Sequence, residues 1–166
     1  IATFTNVIYQ SQEGEQPIRL VASSAGVSDA ISEELLPRVI ATQLVFAVQP
    51  AGAVSGSPLL VQPIVEARDS LGQIDRSFFE TVTLTINGPG GLTGQTVVAD
   101  SGRAIFSDLA YFATSDQESF SLIVDDEVGG EEGDLPTKTS HTIVSDVIAT
   151  RLVYVTQPSG SVSGKA

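Results

Sequence analysis

The 166-residue chain has no cysteine, so neither a disulfide nor a thiolate metal or redox site is open to it. It also has no tryptophan and no methionine, and only three tyrosines. Tyrosine and tryptophan supply most of the energy at loop-built recognition surfaces, so their scarcity argues against such a surface here. Positive charge is scarce as well: 8 Lys and Arg stand against 20 Asp and Glu, a formal net charge of −12. Phosphate backbones need a Lys/Arg patch, and the only lysines are Lys138 and Lys165, which argues against nucleic acid as a partner. Acidity of this kind favours solubility, self-repulsion and attraction for divalent cations. No apolar run approaches the roughly 18 residues of a membrane span. The first residues lack the basic start and apolar core of a signal peptide, and there is no initiator methionine. The expectation is a processed product or a piece of a longer chain, with any export signal removed or upstream.

What the chain does have is repetition. The stretch "IATQLVFAVQPAGAVSGS" begins at Ile40, and "IATRLVYVTQPSGSVSGK" begins at Ile148, 108 residues later, with 11 of 18 positions identical. A second correspondence runs from the first residues to the region after Arg103, with Phe4 over Phe106, Tyr9 over Tyr111 and Leu20 over Leu122, at a spacing of 102. The six-residue difference between the spacings is loop-sized. Tandem repeats with a period of about 105 residues are therefore expected. They divide into the C-terminal part of one repeat (1–39), a complete repeat (40–147) and the N-terminal part of the next (148–166). Neither end piece holds a counterpart of residues 59–101.

Within the complete repeat, short β-branched and aromatic runs alternate with Gly, Pro, Asn, Asp and Ser, and helical periodicity is missing. In "TQLVFAV", Leu44, Phe46 and Val48 fall on one face of a strand. In "FFETVTLTI", Phe79, Thr81, Thr83 and Thr85 fall on one face, with Phe78, Val82, Leu84 and Ile86 largely on the other. Pro63 marks an edge or a bulge, "NGPGG" a sharp break, and "DSG" at 100–102 a tight hairpin joining "QTVVAD" to "RAIFSDL". "SFSLIVDD" and "SHTIVSDV" close the repeat. Seven strands in about 105 residues form the pattern of an all-β, immunoglobulin-like sandwich, here with an aliphatic and phenylalanine core instead of a Cys and Trp one.

The order "VEARDSLGQ", "TVTLTINGPGGLTGQTVVADSGRAIFSDL" and "SFSLIVDD" resembles the bacterial immunoglobulin-like repeats of invasin-type adhesins and other giant surface proteins. In that family a V-x-x-x-D-x-x-G-x strand leads to T-V-T-L, a Gly-rich loop and a D-x-G-x-A-x-F hairpin. The likeness covers about residues 41–126. It implies an extracellular stalk, adhesin or filament module without enzymatic activity.

Candidate chemistry is sparse. "VDDEVGGEEGDLP" gathers Asp125, Asp126, Glu127, Glu131, Glu132 and Asp134 among three glycines. Oxygen-rich loops of this kind can wrap Ca²⁺ with six to eight ligands, although the spacing is not that of an EF-hand and a solvated acidic loop is the plainer reading. Asp69 and Asp75 flank Gly72 as turn formers. His141 is the sole histidine, without a nucleophile elbow, and reads as an exposed strand residue. Lys138 lies in the polar stretch "PTKTS", which reads as exposed and unsuited to an isopeptide cross-link. The expected function is structural: a module joined to neighbouring repeats of the same protein, with head-to-tail self-assembly as its sharper form. The alternative is an adhesin domain gripping a glycan or protein through its loops.

Overall fold

The computed structural model of the protein describes residues 1–10, 16–126, 133–160 and 164. Among the described residues thirteen strands follow one another: β1 (Val21–Ala22), β2 (Ala30–Ile31), β3 (Gln43–Val48), β4 (Ala53–Val54), β5 (Ile64–Arg68), β6 (Thr81–Asn87) and β7 (Gly91–Thr93), then β8 (Thr96–Val98), β9 (Arg103–Ile105), β10 (Ala110–Phe112), β11 (Ser119–Asp126), β12 (Lys138–Thr139) and β13 (Ile143–Asp146). Among the described residues no helix is long and apolar enough to cross a membrane.

From β3 onward the strands form two principal sheets. One has the order β3-β5-β9; the other runs β4-β13-β11-β6-β8, with β12 also paired to β11. Their inner faces meet in a single apolar cluster. Leu44, Phe46, Val65, Ala67 and Ala104 come from the first sheet, and Val82, Leu84, Phe120, Leu122, Val124 and Ile143 from the second. This is the layering of a β-sandwich. The alternation in β6 holds, with Val82 and Leu84 buried, Thr81 and Thr83 half-buried and Thr85 exposed. The two phenylalanines ahead of it divide in the same way, Phe78 inside and Phe79 outside.

One detail differs from the strand pattern read in the sequence. The "DSG" turn forms, with Asp100 N donating to Arg103 O (2.8 Å) and Arg103 N to Asp100 O (3.0 Å). Beyond those bonds, however, β8 pairs with β6 and β9 with β5, so the turn carries the chain from one sheet to the other. Gly102 makes the crossing possible: its φ is +80°, and a Cβ there would collide with the Asp75 carbonyl oxygen. β11 spans "SFSLIVDD" as read from the sequence, so the acidic run begins inside a strand, with Asp125 and Asp126 opposite Thr83 and Val82.

The hairpin β1–β2 has the geometry of the hairpin β11–β12. Val21 faces Ile31 and Ala22 faces Ala30, as Ile123 faces Thr139 and Val124 faces Lys138. In each hairpin a serine hydroxyl takes over where the ladder breaks. Ser32 Oγ accepts from Leu20 N (2.9 Å) and donates to Glu33 O (2.7 Å); Ser140 Oγ accepts from Leu122 N (2.9 Å) and donates to His141 O (2.8 Å). Ser32 N also donates to Leu20 O at 2.9 Å, as Ser140 N does to Leu122 O at 2.8 Å. Past this bulge pairing resumes, Ile18 with Leu35 and Phe120 with Ile143. The surroundings differ: Leu122 is 0% exposed in the sandwich core, whereas Leu20 is 45% exposed.

That contrast predicts unequal costs for one substitution. Leu122→Ala should lower the stability measured by urea unfolding by about 2–5 kcal/mol, the range for a core leucine. Leu20→Ala should shift it by no more than about 0.5 kcal/mol, as at a surface position.

Candidate functional site

Three places in the fold concentrate polar groups. The first is the far end of β11. There one carboxylate oxygen each of Asp125, Asp126 and Asp134 lies within 4.8 Å of the others. β11 sets the first two side by side, and the chain returns to bring Leu135 N against the Asp126 carboxylate (3.2 and 3.4 Å). Asp126 is buried, and that burial raises its pKa; the Leu135 N–H opposes the rise, while the charges of Asp125 and Asp134 add to it. Of the six carboxylates weighed as calcium ligands against a solvated acidic loop, Asp125, Asp126 and Asp134 converge; Glu127, Glu131 and Glu132 lie outside the described residues. Three carboxylate oxygens suit a hard divalent cation but fall short of the six to eight oxygens that Ca²⁺ takes.

The second place is centred on Glu118, which the sequence reading passed over. Its carboxylate is buried and accepts from Tyr111 OH (2.7 Å), Thr114 N (3.0 Å) and Ser115 N (2.6 Å), and from the hydroxyls of Thr114 and Ser115. These bonds, that from the Thr114 hydroxyl foremost and that from Tyr111 next, hold the Glu118 pKa down to about 2 against the opposing effect of burial. Tyr111 in turn stacks on Phe120 with ring centroids 3.9 Å apart. Burial, assisted by the hydrogen bond to Glu118 and its charge, pushes the Tyr111 phenol up to about 12. A local signal was available in the sequence. Ser115-x-x-Glu118 has the spacing of a helix capping box, here closing a turn between two strands.

The third place is the entry to the sandwich. Asp75 is wholly buried; its Oδ2 accepts from Ala41 N (2.9 Å), and its Oδ1 accepts from Ser77 N (2.9 Å) and Ser77 Oγ (2.7 Å). Arg38 reaches Ser77 Oγ at 3.1 Å. Asp69 is the turn former expected, with Oδ1 accepting from Leu71 N and Gln73 N. Asp75 does more, fastening the incoming chain to the loop between β5 and β6. His141 is exposed and offers only its backbone, N–H to Gln49 Oε1 (2.9 Å). Lys138 is exposed on β12. In comparison with known proteins, no family model and no curated protein sequence matches the chain.

Glu118 and Asp126 have opposite pH signatures. Glu118 has a folded pKa below its usual 4.5, so its contribution is present above about 4.5 and is lost as pH falls through about 2. Tyr111→Phe removes a donor, so Glu118 should titrate higher and acid unfolding should begin at higher pH, read by circular dichroism across an acid titration. Asp126 has a raised pKa, so its contribution is present in acid and is lost as pH rises through that raised value. Asp134→Asn removes a like charge beside it. The Asp126 carboxyl should then titrate lower in a carbon-detected NMR titration, and neutral-pH stability should rise; an unchanged Asp126 titration would contradict the assigned repulsion.

Proposed function

We propose that the chain is a run of immunoglobulin-like repeats from a long extracellular or cell-surface protein, and that its work is mechanical. The observation that carries this reading is the parallel pairing of β4 with β13, Ser145 opposite Ala53 and Asp146 opposite Val54. Ser55 N extends it by donating to Asp146 O (2.9 Å), and Gln49 Oε1 adds the bond to His141 N. An entry strand and an exit strand that run the same way side by side are pulled in opposite senses when the chain is stretched. Their bonds then share the load in shear instead of opening one at a time.

Further observations support the repeat and the fold assignment. Sheets of order β3-β5-β9 and β4-β13-β11-β6-β8, with the chain changing sheets between β3 and β4, suit an immunoglobulin-like topology. The serine-anchored hairpins at Ser32 and Ser140 stand 108 residues apart, the spacing of the sequence repeat. Backbone conformation recurs at that spacing too: Gly52 and Gly160 have φ of 70° and 66°, and Gly56 and Gly164 both have 80°. The junction fits a load-bearing chain, because Asp75 and Ser77 hold the backbone at Ala41 and the side chain of Arg38, leaving little slack at the entry to the sandwich. Glu66, buried on β5 between Arg68 and Arg103, braces β5 and β9 in a similar way. The reading does not depend on a bound ion.

Single-molecule pulling tests it. Linked copies of residues 40–147, stretched through their two ends, should unfold one at a time, each releasing on the order of 350 Å of chain at about 3.3–3.6 Å per residue. Stretched instead through positions 43 and 68, across the antiparallel β3–β5 pair, the same domain should yield at clearly lower force. Equal forces in the two directions would count against a shear clamp.

A further inference from the structure

The ladder between β6 and β11 ends in the pair Asn87 and Ser121, the last rung before the bend at residues 88–90. The chain has two asparagines; Asn6 precedes Val7, and Asn87 precedes Gly88. Asn87 is exposed, and its side-chain amide reaches Ser121 Oγ by a long bond, Nδ2 donating at 3.4 Å. Gly88 N has no hydrogen-bond partner among the described residues, and Gly88 has no Cβ to shield that nitrogen. On its other side Gly88 is close-packed. Its φ is +145°, and a Cβ there would lie 3.0 Å from Phe120 Cβ and 3.2 Å from Phe120 Cα. One residue on, Pro89 O accepts from Tyr111 OH (2.9 Å), and Tyr111 stacks on Phe120. An Asn-Gly bond therefore sits where the central ladder meets the Tyr111 and Phe120 rings.

We propose that Asn87 is a self-modification site, where attack by Gly88 N on the side-chain amide converts the asparagine to aspartyl and isoaspartyl forms. In the first step the bond from Gly88 N to Asn87 Cγ forms and the bond from Cγ to Nδ2 breaks. The Gly88 N–H proton leaves with Nδ2 as ammonia, and a succinimide ring remains. Water then opens the ring, giving its hydroxyl to one carbonyl carbon and its proton to Gly88 N. Opening at Cγ yields aspartate on an unchanged backbone; opening at the main-chain carbonyl yields isoaspartate, whose backbone runs through the former side chain. Water is the sole co-reactant. The two products act differently on the fold. Aspartate keeps the Asn87–Ser121 rung and adds a negative charge at an exposed position. Isoaspartate lengthens the main chain just ahead of Gly88, so the last rung and the Gly88 contact with Phe120 cannot both be kept. The ladder then frays at this end, and the loop that holds Tyr111 OH through Pro89 O shifts with it.

Ageing the full native chain at mildly alkaline pH tests this, with peptide mass analysis and an isoaspartate-specific methyl-transfer assay as readouts. Asn87 should convert to both products at least roughly ten-fold faster than Asn6, a margin of about 1.4 kcal/mol in barrier. The β-branched Val7 obstructs the nitrogen that would attack Asn6. Asn87→Gln keeps an amide on a longer side chain that closes a ring far more slowly, so this variant should fold as wild type and gain no isoaspartate in that peptide. The isoaspartyl form, separated from the aged protein, should have its unfolding equilibrium constant in urea raised roughly 5- to 30-fold. Asn87→Asp, which leaves the backbone unchanged, should unfold with the wild type. A native chain that keeps Asn87 intact while the same chain in urea converts it overturns the proposal, because the fold then holds Gly88 N away from Cγ. An isoaspartyl form as stable as the wild type overturns the coupling to the ladder. The reaction needs neither repeats nor load, so its outcome is independent of the pulling experiment on residues 40–147.

Discussion

The six-rung ladder between β6 and β11 is the contact from which the rest of the sandwich is built. It sets Val82 and Leu84 beside Leu122 and Val124, an apolar face that water penalises until a second sheet covers it. The sheet β3-β5-β9 is that cover. Everything at the margins serves to bring the two layers together: the Gly102 turn that passes the chain between sheets, the Asp75 clasp at the entry, and the Glu118 knot that fixes the approach to β11. The same constraint, unmet, leaves Leu20 exposed on the β1–β2 hairpin. That hairpin has the serine bulge and the register of its counterpart, but no facing sheet among the described residues.

Charge works on top of this frame. Glu118 is stabilised as an anion by donors from the Thr114–Ser115 turn and by the Tyr111 hydroxyl, whereas Asp126 is disfavoured as an anion by burial first and by the charges of Asp125 and Asp134 besides. One carboxylate ties the domain together and the other strains its end. The three carboxylates at the end of β11 are therefore the place in the described sandwich where a divalent cation would relieve the most repulsion.

Much of the layering could be read from residue order, because it follows from period-two alternation: Val82 and Leu84 against Thr81 and Thr83, and Phe78 inside against Phe79 outside. The role of Asp69 could be read as well, since an Asp two and four residues ahead of its N–H partners makes a local turn. Sheet membership could not. The "DSG" turn looks like a simple hairpin because its local chemistry is that of one; which sheet each arm joins is decided by β5 and β6, far away in sequence. Asp75 was legible only as a turn residue, because its defining partner, Ala41 N, is 34 positions distant. The serine bulges were visible only as a pair, Ser32 and Ser140 at the repeat spacing, since a lone serine between apolar residues signals nothing.

The central claim is that the whole sandwich at residues 40–147 is one unit of a larger array, covalent or assembled. The mass of the protein drawn from its native source, under native and then denaturing conditions, tests this most directly. The account predicts a native particle many times heavier than 17.3 kDa, either surviving denaturation as one long chain or falling apart into single copies. A free 17.3 kDa monomer under native conditions would contradict it.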